Sequence, residues 1–550
     1  MNYKDKQVLI VEDQRPFLLL LRGLLNSMGA IEVDTKGSAE QAISLCKKRK
    51  YDVVIVDLHL GADRKNGYEF IEELRIRKLV KPSTIFLLIS ADSARPVVLG
   101  SLERRPDDYL IKPFSQAQLK TRISRAWNKR QFLLPVYSAM AEENWEKAIT
   151  ECKSKMAAAS PFHRYCLQLL IELYWKSGTP ENAFALLSSQ SEETSALWSL
   201  IALARTHLQM NQYQKAIDTA QRILQSNRFN ADAYDILAEA QNKLSQGEQA
   251  LSSIKQAIKL SPYSLQRHFT ACAIARENED FVLAQDSSLS IWQLSKRTIH
   301  QDIAHWCSYI RSILDAAEHA EEKKAKNRFQ QEALLFMQRG KHDEVLQRIK
   351  GEFDLDVYEQ VVHARMCALD GKMMDAKRNL AQSQKTIEEK YEEYPLPFVP
   401  DSLKVMYDLG EFDDALALIE LMKHQGVELD PNGQHLMETE KARSEEKQKL
   451  YLQFNREGIG LYQEGKFEQA KDAFYLAQQY APVNTGVALN LLQCILKILE
   501  KNEKPEPLLV KECRRVYKLI EDVPLQKQHQ EKFDELKDDL FNYIDDSGKS

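Results

Sequence analysis

The sequence predicts two architectures joined end to end: an α/β domain built on a doubly wound five-stranded parallel sheet, then an all-α helical-repeat solenoid. Three observations carry this. Residues 1–126 alternate short apolar runs with amphipathic helical stretches. The strand signal disappears after Trp127. Beyond it, alanines recur at a near-constant spacing: Ala148, Ala183, Ala216, Ala250 and Ala284 stand 35, 33, 34 and 34 residues apart.

The first architecture divides as follows. Strands are expected at 7–12, 31–34, 52–57, 84–90 and 108–111, with helices near 15–28, 38–48, 67–77, 94–102 and 115–127. Residues 53–56 and 85–89 are continuously apolar, as strands covered on both faces must be. Five βα units wind into one parallel sheet, and such sheets bind ligands at the carboxyl ends of strands, where strand order reverses. Glu12, Asp13, Asp57, Ser90 and Lys112 all fall at or just past those ends. A single aspartate after a strand is ordinarily a helix cap or a solvated loop residue. Five chemically complementary residues at successive strand ends mark a site.

The second architecture begins beyond a short junction at 128–135, which contains Pro135. Four segments repeat one pattern: Asn144-Trp145-Glu146-Lys147-Ala148, Gln212-Tyr213-Gln214-Lys215-Ala216, Gly410-Glu411-Phe412-Asp413-Asp414-Ala415 and Gly465-Lys466-Phe467-Glu468-Gln469-Ala470. Alanine suits the place where two helices of a pair approach closely. The aromatic before it (Trp145, Tyr213, Phe281, Phe412, Phe467) is expected to plug the junction with the neighbour. Expected divisions are repeats at 136–310, an irregular helical region at 311–450, further repeats at 451–535 and a frayed polar tail at 536–550. The charged run 321–326 reads as a solvated helix face, and the proline-rich 391–400 as a connector. Residues 426–433 read as a loop leading to a charged helix near 436–450. Lys341-His342-Asp343 stands alone, and an isolated His-Asp pair is more often structural than a metal site.

At 550 residues the chain exceeds one ordinary core. Its net charge of -5 gives no reason to expect nucleic acid or an anionic membrane as partner. No apolar run approaches the roughly 20 residues of a membrane span. The eight cysteines are scattered, without a CxxC pair, and suit reduced thiols in a cytoplasmic protein. No catalytic motif stands beyond residue 127.

Paired acids after strand one, Asp57 after strand three, a hydroxyl after strand four and Lys112-Pro113 after strand five resemble a response-regulator receiver domain of the chemotaxis-regulator type, a flavodoxin-like fold. Asp57 to Ser90 spans 33 residues and Ser90 to Lys112 spans 22, close to the family pattern. The segments 197–230, 231–264 and 451–484 resemble tetratricopeptide repeats. The receiver resemblance implies a two-component response regulator whose phosphoacceptor is Asp57. It implies Mg2+ (or Mn2+) held by Asp13, Asp57 and the backbone carbonyl of His59, with Glu12 acting directly or through water. The same site can be argued physically: a carboxylate attacks phosphorus only when anionic repulsion is relieved, and oxygen ligands hold the hard cation that relieves it. Lys112 balances the incoming phosphoryl oxygens. Ser90 and Tyr109 convert the modification into a change of shape, against the simpler readings that Ser90 caps a turn and Tyr109 only packs. The implied donor is a sensor histidine kinase or histidine phosphotransfer protein, and a homodimer through the receiver is a further implied partnership. One departure stands out: residues 58–67 make the loop after Asp57 longer than the family norm, without its usual proline.

The repeat resemblance implies a concave groove lined by the first helix of each pair. It would hold Trp198, Ile201, Arg205, Leu208 and Gln209, then Asp232, Asp235, Glu239, Asn242 and Lys243, then Leu452, Asn455, Ile459 and Tyr462. Several of these could instead serve only contacts between repeats. The expected output is protein binding. The competing readings are a phosphorylation-independent scaffold whose receiver-like domain serves only for docking, and an enzymatic output hidden in 311–450.

Overall fold

The computed structural model describes residues 2–61, 65–91, 106–157, 160–189, 197–348, 352–426, 429, 431–501, 506–521, 523–525 and 527–544. The expected helix at 94–102 lies outside them, as do residues 62–64 of the long loop. The chain forms two compact units, residues 1–278 with 290–301, and residues 279–289 with 302–550.

The first unit opens with β1 (Gln7–Val11), α1 (Arg15–Ser27), β2 (Glu32–Lys36), α2 (Ala39–Cys46), β3 (Val53–Asp57), α3 (Gly67–Ile76), β4 (Ile85–Ser90), β5 (Asp108–Ile111) and α4 (Gln116–Phe132). The strands lie in the order β2-β1-β3-β4-β5, all parallel. Side chains alternate between faces along each strand, and this builds two cores. Val8, Ile10, Val53, Ile55, Leu87 and Ile89 pack with Leu21 and Leu25 of α1 and Leu119 and Ile123 of α4. Leu9, Val11, Val54, Val56, Phe86 and Leu88 pack with Ile43 of α2 and Phe70, Ile71 and Leu74 of α3. The order reverses where β1 is flanked by β2 on one side and β3 on the other, so their carboxyl ends open a crevice.

The stretch expected as a junction at 128–135 is helical almost throughout. α4 runs to Phe132, and α5 (Leu134–Ala141) starts with Pro135 in its first turn. Proline is tolerated there because the first turn donates no intrahelical hydrogen bond. α6 (Trp145–Ala157), α7 (His163–Lys176), α8 (Pro180–Ser188), α9 (Leu197–Gln209), α10 (Tyr213–Ser226), α11 (Ala231–Lys243), α12 (Gly247–Leu260) and α13 (Leu265–Glu277) follow in the same unit. The receiver-like sheet and these helices therefore share one compact body. Ala148, Ala183, Ala216 and Ala250 are fully buried. Each is preceded, five residues earlier, by a left-handed residue: Glu143, Gly178, Asn211 and Ser245 have φ of 57°, 68°, 57° and 58°. That conformation turns the chain tightly enough to bring the two helices of a pair together.

In the second unit, helices Ile303–Glu318 and Pro431–Gln463 run straight across the expected divisions at 310/311 and 450/451. Between Pro431 and Gly458 only one other breaker occurs, Gly433 in the first turn, so nothing stops the second helix earlier. Of the tail expected to fray, residues 536–544 belong to helix Lys527–Ile544, and the remainder lies outside the described residues. Phe533, Leu536 and Leu540 are buried on one face at helical spacing. At the centre of this unit lies a buried ionic network. Asp401 accepts from Arg311, Arg365 and Tyr358, and Arg365 also bonds Asp315. Lys404 donates to Glu318 and Asp408.

Candidate functional site

Glu12 follows β1, Asp57 ends β3, and Lys112 follows β5, so all three stand at the crevice. The Lys112 ammonium joins them: its Nζ donates to Asp57 Oδ2 at 2.6 Å and to Glu12 Oε2 at 2.8 Å. Asp13 brings a third carboxylate, and oxygens of Glu12, Asp13 and Asp57 lie within 4.8 Å of one another. Glu12 and Asp57 are buried, while Asp13 faces solvent. The backbone N–H of His59 donates to Asp57 Oδ1 at 3.3 Å, and the His59 side chain is exposed.

Charge in the pocket is finely set. Burial pushes Glu12 up to about 7, the Lys112 hydrogen bond opposes this, and the negative charge of Asp57 adds to it. Burial works against the Lys112 ammonium too, but hydrogen bonds to Asp57 and Glu12 outweigh it and lift its pKa above the ordinary range. The aromatic ring of Phe17 lies 4.1 Å beneath the ammonium. Phe114 meets Phe17 edge-on at 5.8 Å.

Backbone bonds set these positions. Lys112 N donates to Ser90 O, Leu58 N to Ile89 O and Glu12 N to Lys36 O, each at the end of a strand. The long loop after β3 returns to the site at Gly67, whose N donates to Leu58 O. A Cβ at Gly67 would sit 2.4 Å from the Asp57 carbonyl oxygen, so only glycine allows this close return. Asn66 then caps α3 in a reciprocal box with Glu69.

Ser90 is fully buried one residue past the β3 register, where Asp57 pairs with Ile89. Tyr109 is half-buried against the core beside Tyr68. The three carboxylates and Lys112 thus come together, with Ser90 at the adjacent strand end. The donors suit a hard divalent cation, being oxygen only, and two of the three are buried carboxylates sharing one ammonium.

The groove residues divide. Asp235 is held by both arms of Arg267 at 2.7 and 2.6 Å, and burial raises its pKa. Glu239 is exposed, and partial desolvation by the surrounding helices still raises its pKa. Asn242 is bound to Glu277 and Asn278. Asn455 accepts from Asn490 at 3.1 Å. Ile201 and Leu208 pack into one core, Trp198, Leu452 and Tyr462 into others. Arg205 lies 6.0 Å from the Trp175 ring centroid. Asp232, Gln209 and Lys243 are at least partly accessible, and Ile459 is exposed. His342 stands beside Asp343, whose carboxylate caps Val345. Arg267, the partner of Asp235, carried no signal of its own; it sits 32 residues on, near one repeat length.

The doubly wound sheet with an acidic crevice at its strand ends is the architecture of a receiver domain. Residues 8–124 match the family described as the response regulator receiver domain, and the chain carries that domain ahead of a helical-repeat array. Relatives match over the same region. The alkaline phosphatase synthesis transcriptional regulatory protein PhoP of Bacillus subtilis is 30% identical over 131 residues, 24% of this chain and 52% of its own length. The alginate biosynthesis transcriptional regulatory protein AlgB of Pseudomonas aeruginosa is 30% identical over 128 residues, 23% of this chain and 27% of its own. Chemotaxis protein CheY-3 of Vibrio cholerae is 22% identical over 126 residues, 23% of this chain and 95% of its own. The chain thus spans about half of PhoP and about a quarter of AlgB. Among solved structures, the thermophilic TPR protein TTC0263 of Thermus thermophilus overlays 34% of this chain and 99% of its own, with 14% identity and a TM-score of 0.29. That overlap is too small to bear on what the repeats bind. Among the described residues no helix is long and apolar enough to cross a membrane.

Proposed function

We propose that this chain is a response regulator that accepts a phosphoryl group on Asp57 from a phosphohistidine donor, on a sensor histidine kinase or histidine phosphotransfer protein. Its output is protein binding through the helical repeats. The observation that carries the reading is Lys112, whose ammonium bridges Glu12 and Asp57 in a crevice of three carboxylates. A magnesium or manganese ion held by Glu12, Asp13, Asp57 and the His59 carbonyl would supply the charge neutralisation that lets an anion approach an anion. Asp57 supplies the attacking carboxylate oxygen: an O–P bond forms as the P–N bond of the donor breaks, and the imidazole leaves. Lys112 is placed to donate to the arriving phosphoryl oxygens, and the His59 N–H holds Asp57 in orientation. Transfer of this kind is chiefly positioning and electrostatics, so these few groups suffice.

Ser90, buried at the next strand end, is the group to donate to the new phosphoryl oxygens. Its movement gives Tyr109 room to turn inward, and the altered surface selects partners, among them a second copy of the receiver. The exposed repeat residues Gln209, Glu239, Lys243 and Ile459, with the half-exposed Asp232, are the leading groove contacts.

Incubating the full chain with phosphoramidate and Mg2+ tests the reading. A base-labile adduct forms and is lost in Asp57→Asn. A pulldown with phosphorylated and unphosphorylated protein then recovers different partners. No Asp57-dependent adduct, with full cellular function retained by Asp57→Asn, returns the chain to a constitutive scaffold.

A further inference from the structure

A cavity of about 700 Å3 lies at the opposite end of the sheet from Asp57. Its walls include Lys50, Lys81, Thr84 and Asp107, which precede β3, β4 and β5. They also include Leu133 at the turn between α4 and α5, Tyr137 and Met140 of α5, and Tyr165 and Leu169 of α7. All of these belong to the first compact unit. β3 rises about 3.3 Å per residue, so its five residues hold this cavity well apart from the carboxylate crevice.

The charge of the lining is uneven. Among the described lining residues seven are lysine or arginine and three are acidic, in a chain whose net charge is -5. Local pairs consume part of the excess: Arg130 takes Asp107, Lys78 takes Glu143 and Lys81 takes Asp52. Lys129 is different. Its side chain is buried, and its ammonium donates to the Asp107 backbone carbonyl at 2.8 Å rather than to a carboxylate. Burial lowers its pKa accordingly. The Asp107 carboxylate that favours this ammonium is shared with Arg130 and Arg75, so an anion entering beside Lys129 supplies the counter-charge the cluster lacks.

We propose that this cavity binds a nucleoside phosphate, with Lys129 and the exposed rim lysine Lys50 serving its phosphate and the apolar and aromatic wall serving its base and sugar. The volume falls within the range of small-molecule sites. An inorganic anion alone would leave the walls of Leu133, Tyr137, Met140 and Leu169 unfilled. A purely apolar ligand would bring Lys129 no counter-charge. A ligand here touches the amino ends of the receiver strands and the first repeat helices at once, giving the chain a second input besides Asp57.

The test is fluorescence anisotropy of the full chain with the N-methylanthraniloyl derivatives of ATP, GTP and AMP, each competed by its unlabelled parent and by orthophosphate. The expected result is saturable binding of at least one probe, displaced by its parent nucleotide and not by orthophosphate at the same concentration. Lys129→Gln weakens it at least about tenfold, and Lys50→Gln, at the exposed rim, weakens it severalfold with the fold undisturbed. Lys129→Gln still takes a phosphoryl group from phosphoramidate, which shows that its fold and the Asp57 site are intact. The proposal is overturned if no probe binds saturably, if both variants bind as the parent does, or if orthophosphate displaces as well as nucleotide.

Discussion

At Lys112 one ammonium serves two buried carboxylates, and its removal leaves Asp57 and Glu12 without their shared cation. Breaking such a pair costs about 3 kcal/mol when the partner charge stays buried. Lys112→Ala is therefore expected to lower stability in denaturant titration by that order without metal, with Mg2+ restoring part of the loss. Equal loss with and without Mg2+ would mean that the carboxylates do not gather a cation. Gly67 shows a steric constraint at the same site. A methyl group there meets the Asp57 carbonyl at 2.4 Å and Leu88 Cδ1 at 2.8 Å. Gly67→Ala should cost about 1–3 kcal/mol and slow phosphoryl uptake from phosphoramidate, since the loop must back away from Asp57. Uptake at the parental rate with reduced stability would separate the packing role from the positioning one.

Among the elements, the turn before β5 is a junction of three. Asp107 accepts from Phe86 N of β4 and from both arms of Arg130 on α4, and lies 3.8 Å from Arg75 of α3. Burial alone would raise its pKa, but Arg130, Arg75 and Lys129 outweigh it and hold the carboxyl below its usual value. A depressed carboxyl binds fewer protons folded than unfolded. Its stabilisation is present above the unfolded pKa near 4 and fades as pH falls through the lower folded value. Acidification below about pH 4 should thus loosen this junction, and Asp107→Asn should remove that part of the pH dependence. Hydrogen exchange at Phe86 N and in α4 from neutral to acid pH measures both. The alternation of apolar runs made this sheet legible in the sequence, because strands covered on both faces must be apolar throughout. The continuation of α4 into α5 was not legible: proline reads as a break, yet in a first turn it disturbs nothing. His300, within hydrogen-bond distance of Glu72 on α3, was equally invisible, since a contact across 228 residues leaves no local trace.

Across the molecule, stability rests on two different foundations. In the first unit, apolar sheet cores and repeat cores built around small buried alanines carry the packing, and the buried charges sit in separate local clusters such as Arg130 with Asp107 and Arg267 with Asp235. In the second, Arg311, Arg365, Asp401 and Lys404 are buried at its centre with their counter-charges around them. Such a network adds little net stability but penalises any arrangement that leaves one member unpaired. Asp401→Ala leaves two guanidinium groups without their shared acceptor. It should destabilise the second unit by about 3–5 kcal/mol, read as faster hydrogen exchange in helices 303–318 and 355–369. Unchanged exchange there would show that Arg311 and Arg365 find other acceptors.

The sequence by itself determined the parallel sheet, the helical-repeat character and the strand-end placement of Glu12, Asp57, Ser90 and Lys112. Each follows from local periodicity or from spacing along the chain. Only the tertiary structure decided that Lys112 bridges two acids, that Asp235 is held by Arg267 and that Leu540 anchors a helix expected to fray. These depend on which residues distant in sequence meet, and that is fixed by packing, where burial sets the cost of every unpaired charge.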